Sequence, residues 1–297
     1  MASYTWQTYR CGYGVYFAGE TTTPKPPLLL IHPIGVGLGR RFWQPFINQW
    51  QGQNRPHTLY APDLLGCGES EMPRAAYSPK DWAAQLSHFL TEIIQQPTIV
   101  VVQGALLPVA LRLCERPEAS ALIRGLVLSG PPAWSLITQP TPAWRQRVNW
   151  NLFDSPLGWG FYQYARRRAF LKSFSIRQLF DRAEDITDDW LTMLDQGSQD
   201  MASRHAVFSF LAGFWRQDYR AAIAALQQPT LVVMGETASS IDRTAKTTTG
   251  KQRMQAYLDH FSNSRGVTIE GRNVLPYEST QAFIQAIVPF VERVGMG

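Results

Sequence analysis

The feature that most constrains the fold of this chain is a repeated alternation. Short apolar runs, bounded by Pro and Gly, are separated by longer amphipathic segments. The runs are Leu28–His32, His57–Ala61, Thr98–Gln103, Leu126–Ser129, Thr230–Met234 and Val267–Glu270. Each is apolar almost throughout, as a strand buried on both faces must be. The segments between them, Arg40–Trp50, Pro79–Gln95, Leu106–Glu115, Lys251–Phe261 and Ser279–Val294, carry helical spacing. Strands alternating with helices predict an α/β fold with a mostly parallel sheet flanked by helices. The first residues, about Trp6–Ala18, read as an antiparallel hairpin feeding that sheet.

One interval breaks the rhythm. From Pro132 to Leu226 the chain has no strand signal, only helix-like and aromatic-rich sequence. An insertion of this size reads as a helical cap over the strand C-termini, where open α/β sheets bind ligands. The predicted organisation is therefore a core of residues 1–131 and 227–297 with a helical cap at 132–226.

Composition removes several function classes. Three cysteines in 297 residues, with no CxxC or Cys/His metal spacing, argue against a disulfide scaffold or a structural zinc site. The N-terminus lacks the apolar stretch of a secretory signal. No run of ~18 apolar residues is present to span a membrane. Together these point to a reducing, cytoplasmic setting. A net charge of +5 gives no argument for nucleic acid. Gly35, Gly37 and Gly39 fail the G-x-G-x-x-G spacing because Arg40 takes the third position, and TTTGKQ (247–252) lacks the first Gly of a phosphate loop. No cofactor and no metal is predicted.

Three motifs carry a resemblance. Ala61-Pro-Asp-Leu-Leu-Gly-Cys-Gly-Glu-Ser70 is similar to the D-x-x-G-x-G-x-S turn of the α/β-hydrolase fold. LLLIHPIGVG is similar to that fold's loop carrying an oxyanion donor, and TLVVMGE to the strand before its catalytic acid. In this order and at these intervals the chain resembles an α/β hydrolase over nearly its whole length. It also resembles a group found in cyanobacteria and plastids.

The resemblance implies a Ser-His-Asp triad, and the chain departs from it at every member. The nucleophile of G-x-S-x-G sits on a sharp strand-to-helix turn. Counting from Gly104 in Gly104-Ala105-Leu106-Leu107-Pro108 places Leu106 there. Counting three residues beyond Gly235 places Ala238 at the acid. Counting back from Phe283 places Asn273 at the histidine, and Asn cannot act as a base near neutral pH. The two backbone donors of an oxyanion hole map to Ile34 and Leu107.

Two apolar triad positions imply a non-hydrolytic protein, a pseudo-hydrolase. Its pocket, formed by Gly35, Leu106, Leu107, Ser129, Ala238 and Asn273, would take a hydrophobic small molecule with one polar group. An alternative is an esterase- or thioesterase-like hydrolase with displaced residues, such as Ser129 or Cys67 with Asp242; Glu236 is the other nearby carboxylate. Cys67 has no evident base, and a structural turn role is the simpler reading. His32 reads as an oriented structural histidine, and His260 falls on the preceding helix.

The cap suggests a third reading, an assembly factor. Trp144, Trp150, Trp159, Phe161, Tyr162 and Tyr164 are interleaved with basic residues including Arg166, Arg167 and Arg168. This suits an acidic protein partner or peripheral contact with a membrane surface. The alternative is a packed cap whose charges are solvated. The stretch 208–219 reads as the cap's return helix.

Overall fold

The computed structural model describes residues 2–17, 25–239 and 248–296. Eight strands form one sheet: β1 (Ala2–Trp6), β2 (Tyr9–Tyr16), β3 (Leu28–Ile31), β4 (Leu59–Pro62), β5 (Thr98–Gln103), β6 (Ile123–Ser129), β7 (Thr230–Gly235) and β8 (Ser264–Ile269). Their order is β1-β2-β4-β3-β5-β6-β7-β8. The pairs β1–β2 and β2–β4 are antiparallel, and every later pair is parallel. The hairpin thus begins at Ala2 rather than Trp6 and turns at Gln7, whose φ is +54°; Ala18 lies outside the described residues.

The helices that matter for the site are α1 (Gln44–Gly52), α2 (Pro79–His88) and α3 (Leu107–Cys114) in the first half. They are followed by α4 (Ala143–Phe153), α5 (Pro156–Ala165), α6 (Arg168–Phe174), α7 (Asp188–Gly197) and α8 (Arg204–Ala212). The last two are α9 (Gly250–Leu258) and α10 (Thr280–Val294).

The central strands are apolar on both faces because both faces are covered. On β5, Val100 and Val102 join one core with Trp82, Leu86 and Leu111 of α2 and α3, while Ile99 and Val101 join the other with Phe46, Trp50 and Ile287 of α1 and α10. The same alternation divides Leu29 and Ile31 from Leu28 and Leu30 on β3. A period of two along each strand thus fills two layers.

Between β6 and β7 the described chain contains helices and no strand. α8 stops at Gly213, which has φ +87° and closes the helix in the left-handed region. The expected helix over 208–219 is therefore cut short. α7 settles directly on the loop after β3. A Cβ added at Gly37 would lie 1.9 Å from the Leu194 carbonyl oxygen, so only Gly allows this approach.

Candidate functional site

The loop after β4 is the best-organised turn beneath the cap. Asp63 is fully buried and pairs with the Arg40 guanidinium, which also meets Glu69 at 2.7 Å. The Asp63 carboxylate accepts the Arg40 N–H at 2.7 Å and the Glu69 N–H at 3.0 Å. Ser70 Oγ donates to the Asp63 carbonyl at 2.7 Å and accepts the Gly12 N–H at 3.1 Å. Gly68, with φ +57°, allows this closure, since a Cβ there would stand 2.2 Å from the Asp63 carboxyl carbon. The motif is thus a structural staple. Cys67 lies inside it, buried, and burial pushes its thiol strongly up, with Asp63 adding to the effect. It is held as a thiol, the opposite of what a nucleophile needs.

His32 is equally committed. Its Nδ1–H donates to the Pro33 carbonyl at 2.9 Å, and its Nε2 accepts the Leu64 N–H at 3.0 Å. Burial pushes its pKa down, so it stays neutral and ties the β3 loop to the β4 loop.

The strand-to-helix turn after β5 places its positive-φ residue two positions before the one the sequence count gives. The left-handed residue is Gly104, at φ +63°, directly after the last strand residue, Gln103. A strained turn at the strand end is the defining geometry of a nucleophile elbow. Leu106, two residues later, is 1 % exposed and packs into the core with Val102, Leu107 and Leu111. Its side chain serves packing and cannot line a pocket. Gly104 and Ala105 are the partly exposed residues, and a Cβ built on Gly104 would meet no atom within 4 Å.

The oxyanion donors shift with the turn. The Leu107 N–H is taken by the Gly104 carbonyl in the tight helical turn over Gly104–Leu106. The residue after the turn is Ala105, whose N–H makes no bond within the described residues, and the same holds for Ile34. β3 and β5 are neighbours, pairing Ile31 with Val102, so the loop bearing Ile34 and Gly35 emerges beside Gly104.

Asn273 arrives at the same place. Its carbonyl accepts Gln103 Nε2 at 2.6 Å. Its side-chain amide donates to the Gln178 carbonyl at 2.6 Å and to Ser239 Oγ at 3.0 Å, and its Oδ1 accepts the Ser239 N–H at 3.3 Å. The amide is therefore committed: it clamps the cap, through Gln178, to the loop after β7. Ala238 sits in that loop, 8 % exposed, its N–H closed on the Gly235 carbonyl. Glu236 is exposed on the rim, and Asp242 lies outside the described residues.

Ser129 ends β6 opposite Gln103. Its Oγ and the Gln103 Oε1 are both buried and have no hydrogen-bond partner. Unsatisfied buried oxygens are costly, so two of them at the strand ends mark polar capacity left unused by the fold.

The remaining histidines add no base beside Gly104. His260 stacks on Trp134 at 4.2 Å and donates to the Ala256 carbonyl. His205, on α8, was not singled out by sequence. It is buried, its Nδ1 stands 3.8 Å from Asp154 without a hydrogen bond, and Asp154 is taken by the Arg74 fork. Among the described residues no group of three or more His, Cys, Asp or Glu is gathered to hold a metal.

The three cap arginines make separate contacts. Arg166 reaches the Gln199 carbonyl, Arg167 lies over the Tyr164 ring and Arg168 pairs with Asp188 at 2.5 Å. Two hollows of about 390 and 330 Å³ lie at the opposite end of the sheet, around Arg124 and Pro229, away from Gly104.

The profile described as the alpha/beta hydrolase family matches residues 28–286. The chain belongs to the alpha/beta hydrolase family. Among solved structures, a thermophilic esterase from Thermogutta terrifontis is 18% identical, covering 97% of this chain and 94% of its own, with a TM-score of 0.71. A serine hydrolase involved in carbazole degradation is also 18% identical, covering 96% of each chain, with a TM-score of 0.72. The enol-lactonase from Burkholderia xenovorans LB400 is 15% identical, covering 98% of this chain and all of its own, with a TM-score of 0.69. No curated protein matches the sequence. At these identities the neighbours establish the fold of this family member and nothing finer.

Proposed function

We propose that this member of the family does not run Ser-His-Asp hydrolysis, and that it binds an apolar small molecule by a carbonyl, carboxyl or hydroxyl end above Gly104. The observation that carries the reading is the elbow itself. The strained turn bears a glycine with open space where a nucleophile's side chain would stand. Asn273, next to it, spends its amide on the clamp and has no titrating group. Two backbone N–H groups with no partner in the described chain, from Ile34 and Ala105, suit an oxygen of the ligand. Ser129 Oγ and Gln103 Oε1 supply polar partners at the base.

A second reading is a hydrolase with displaced residues. It is supported by family membership and by neighbours named as an esterase, a serine hydrolase and an enol-lactonase. The described side chains oppose it: the Cys67 thiol is held protonated, and Ser129 has no base at hydrogen-bond distance among the described residues, outside which Asp242 lies.

An ester, thioester and lactone panel on the pure protein separates the two. The binding reading predicts no turnover above buffer and no labelling by a fluorophosphonate. Turnover that tracks labelling of this chain would establish the second reading, and the labelled residue would name the nucleophile.

A further inference from the structure

The outer face of the cap carries the largest unexplained feature of the molecule. Eleven large apolar side chains are exposed in the described residues, and nine of them lie between β6 and β7. α4 has no buried residue at all. Trp144, Val148 and Leu152 follow one another at spacings of four, forming a stripe along that helix, and are 62%, 57% and 53% exposed. α5, the next helix, adds exposed Leu157, Phe161 and Tyr164, again at helical spacing, and Trp159. Short helices normally owe their stability to covering such a stripe, and here the stripe faces out.

The charge around the face has one sign. From residue 143 to 177 the chain has seven basic residues and one acid, Asp154. That acid is already neutralised by Arg74, from the core. Arg145, Arg147, Arg167 and Lys172 have no carboxylate within ion-pair distance among the described residues, and all four are exposed. The Arg145 guanidinium lies 5.4 Å from the Trp144 ring centre, and that of Arg167 lies 5.7 Å from the Tyr164 ring centre. The acidic run that follows is carried beyond α6, where Asp188 takes Arg168.

We infer that the α4–α5 face docks on an anionic lipid bilayer surface. Exposed Trp, Leu, Val and Phe suit the acyl boundary, while the flanking arginines and lysine suit the headgroup phosphates. No described helix is long and apolar enough to cross a membrane, so the contact is peripheral. A second copy of this chain is a poorer occupant, because a two-fold contact sets the arginines of one face against those of the same face. The inference does not depend on what binds above Gly104.

Co-sedimentation of the full chain with vesicles tests it. Phosphatidylcholine vesicles with about 30% phosphatidylglycerol should pellet the protein, and pure phosphatidylcholine vesicles should bind it at least about tenfold more weakly. Leu152→Glu/Leu157→Glu and Arg145→Glu/Arg147→Glu should each lower binding about tenfold, with the thermal midpoint unchanged because these side chains are exposed. Equal binding to neutral vesicles, no binding to anionic ones, or variants that bind like wild type would each overturn the inference. A solution dimer dissolved by Leu152→Glu would instead assign the face to a second copy. Retention of an acidic protein, with no vesicle binding, would assign it to a protein partner.

Discussion

The proposed absence of hydrolysis rests first on a single glycine and then on Asn273. Gly104 adopts φ +63°, and its missing Cβ leaves open space. Gly104→Ser should fit sterically but cost roughly 1–2 kcal/mol, the usual penalty of the left-handed region. Alone it should hydrolyse no ester, because Asn273 supplies no base. Combined with Ala238→Asp and Asn273→His it should give measurable turnover and fluorophosphonate labelling at position 104. Labelling at another position would place the elbow elsewhere. Asn273 gives an independent expectation. Asn273→Ala removes the bonds to Gln178 and Ser239, and each such bond is worth about 1 kcal/mol. A loss of about 2 kcal/mol in urea unfolding is expected, with faster amide exchange in the cap around residues 176–180. Unchanged exchange there would show that the clamp does not hold the cap.

At the scale of the element, the turn from Asp63 to Ser70 joins β2, β4 and the loop before α1. Asp63→Asn removes the charge opposing the buried Arg40 and sets an amide N–H toward the Glu69 N–H. Breaking a buried pair costs about 3–5 kcal/mol; Glu69 still faces Arg40, so the low end, about 3 kcal/mol, is expected by chemical denaturation. Ser70→Ala should cost about 1 kcal/mol, since it frees the Gly12 N–H. A cost for Asp63→Asn no larger than that of Ser70→Ala would mean the ion pair adds little. This element was legible in the sequence because its glycines and acid are fixed by local geometry. The parallel strands were legible because burial on both faces leaves an apolar run. The motif count and the positive-φ residue differ by two positions, because Gly104, Leu106 and Leu107 all fit a strand-to-helix transition by composition. What separates them is φ at Gly104 and the burial of Leu106, and neither is written in residue type. The Asn273 clamp was also out of reach, since Gln178 and Ser239 are distant in sequence. So was the seat of α7 on the β3 loop, which depends on Gly37 meeting Leu194.

For the molecule as a whole, the buried histidines set the response to acid. His32, His57 and His205 all have lowered pKa values, with burial the largest cause in each. His32 Nε2 accepts the Leu64 N–H, which favours the neutral ring, while the Nδ1–H groups of His32 and His57 donate to the Pro33 and Pro26 carbonyls, contacts that raise the pKa but are outweighed by burial. In the unfolded chain each imidazole takes up a proton near pH 6.5. In the folded chain it does so only at lower pH. Between these values the unfolded state binds more protons, so stability is complete above about pH 6.5 and falls as the pH drops below it. One histidine contributes at most about 1.4 kcal/mol per pH unit in that window. Glu278 acts in the opposite sense, because burial raises its carboxyl pKa; it holds a proton in the folded state that the unfolded chain gives up, which stabilises the fold as the pH falls toward 4.5. The histidine effect begins at the neutral side and involves three groups, so unfolding free energy should decline steadily from pH 7 to pH 5. Urea titrations at intervals across that range measure it directly. His57→Gln, which keeps a donor toward Pro26 but cannot charge, should flatten the slope without reversing it. A wild-type stability that is level or rising from pH 7 to pH 5 would show that these rings are charged in the folded protein, and that the β3 and β4 loops are held together by something other than a neutral His32.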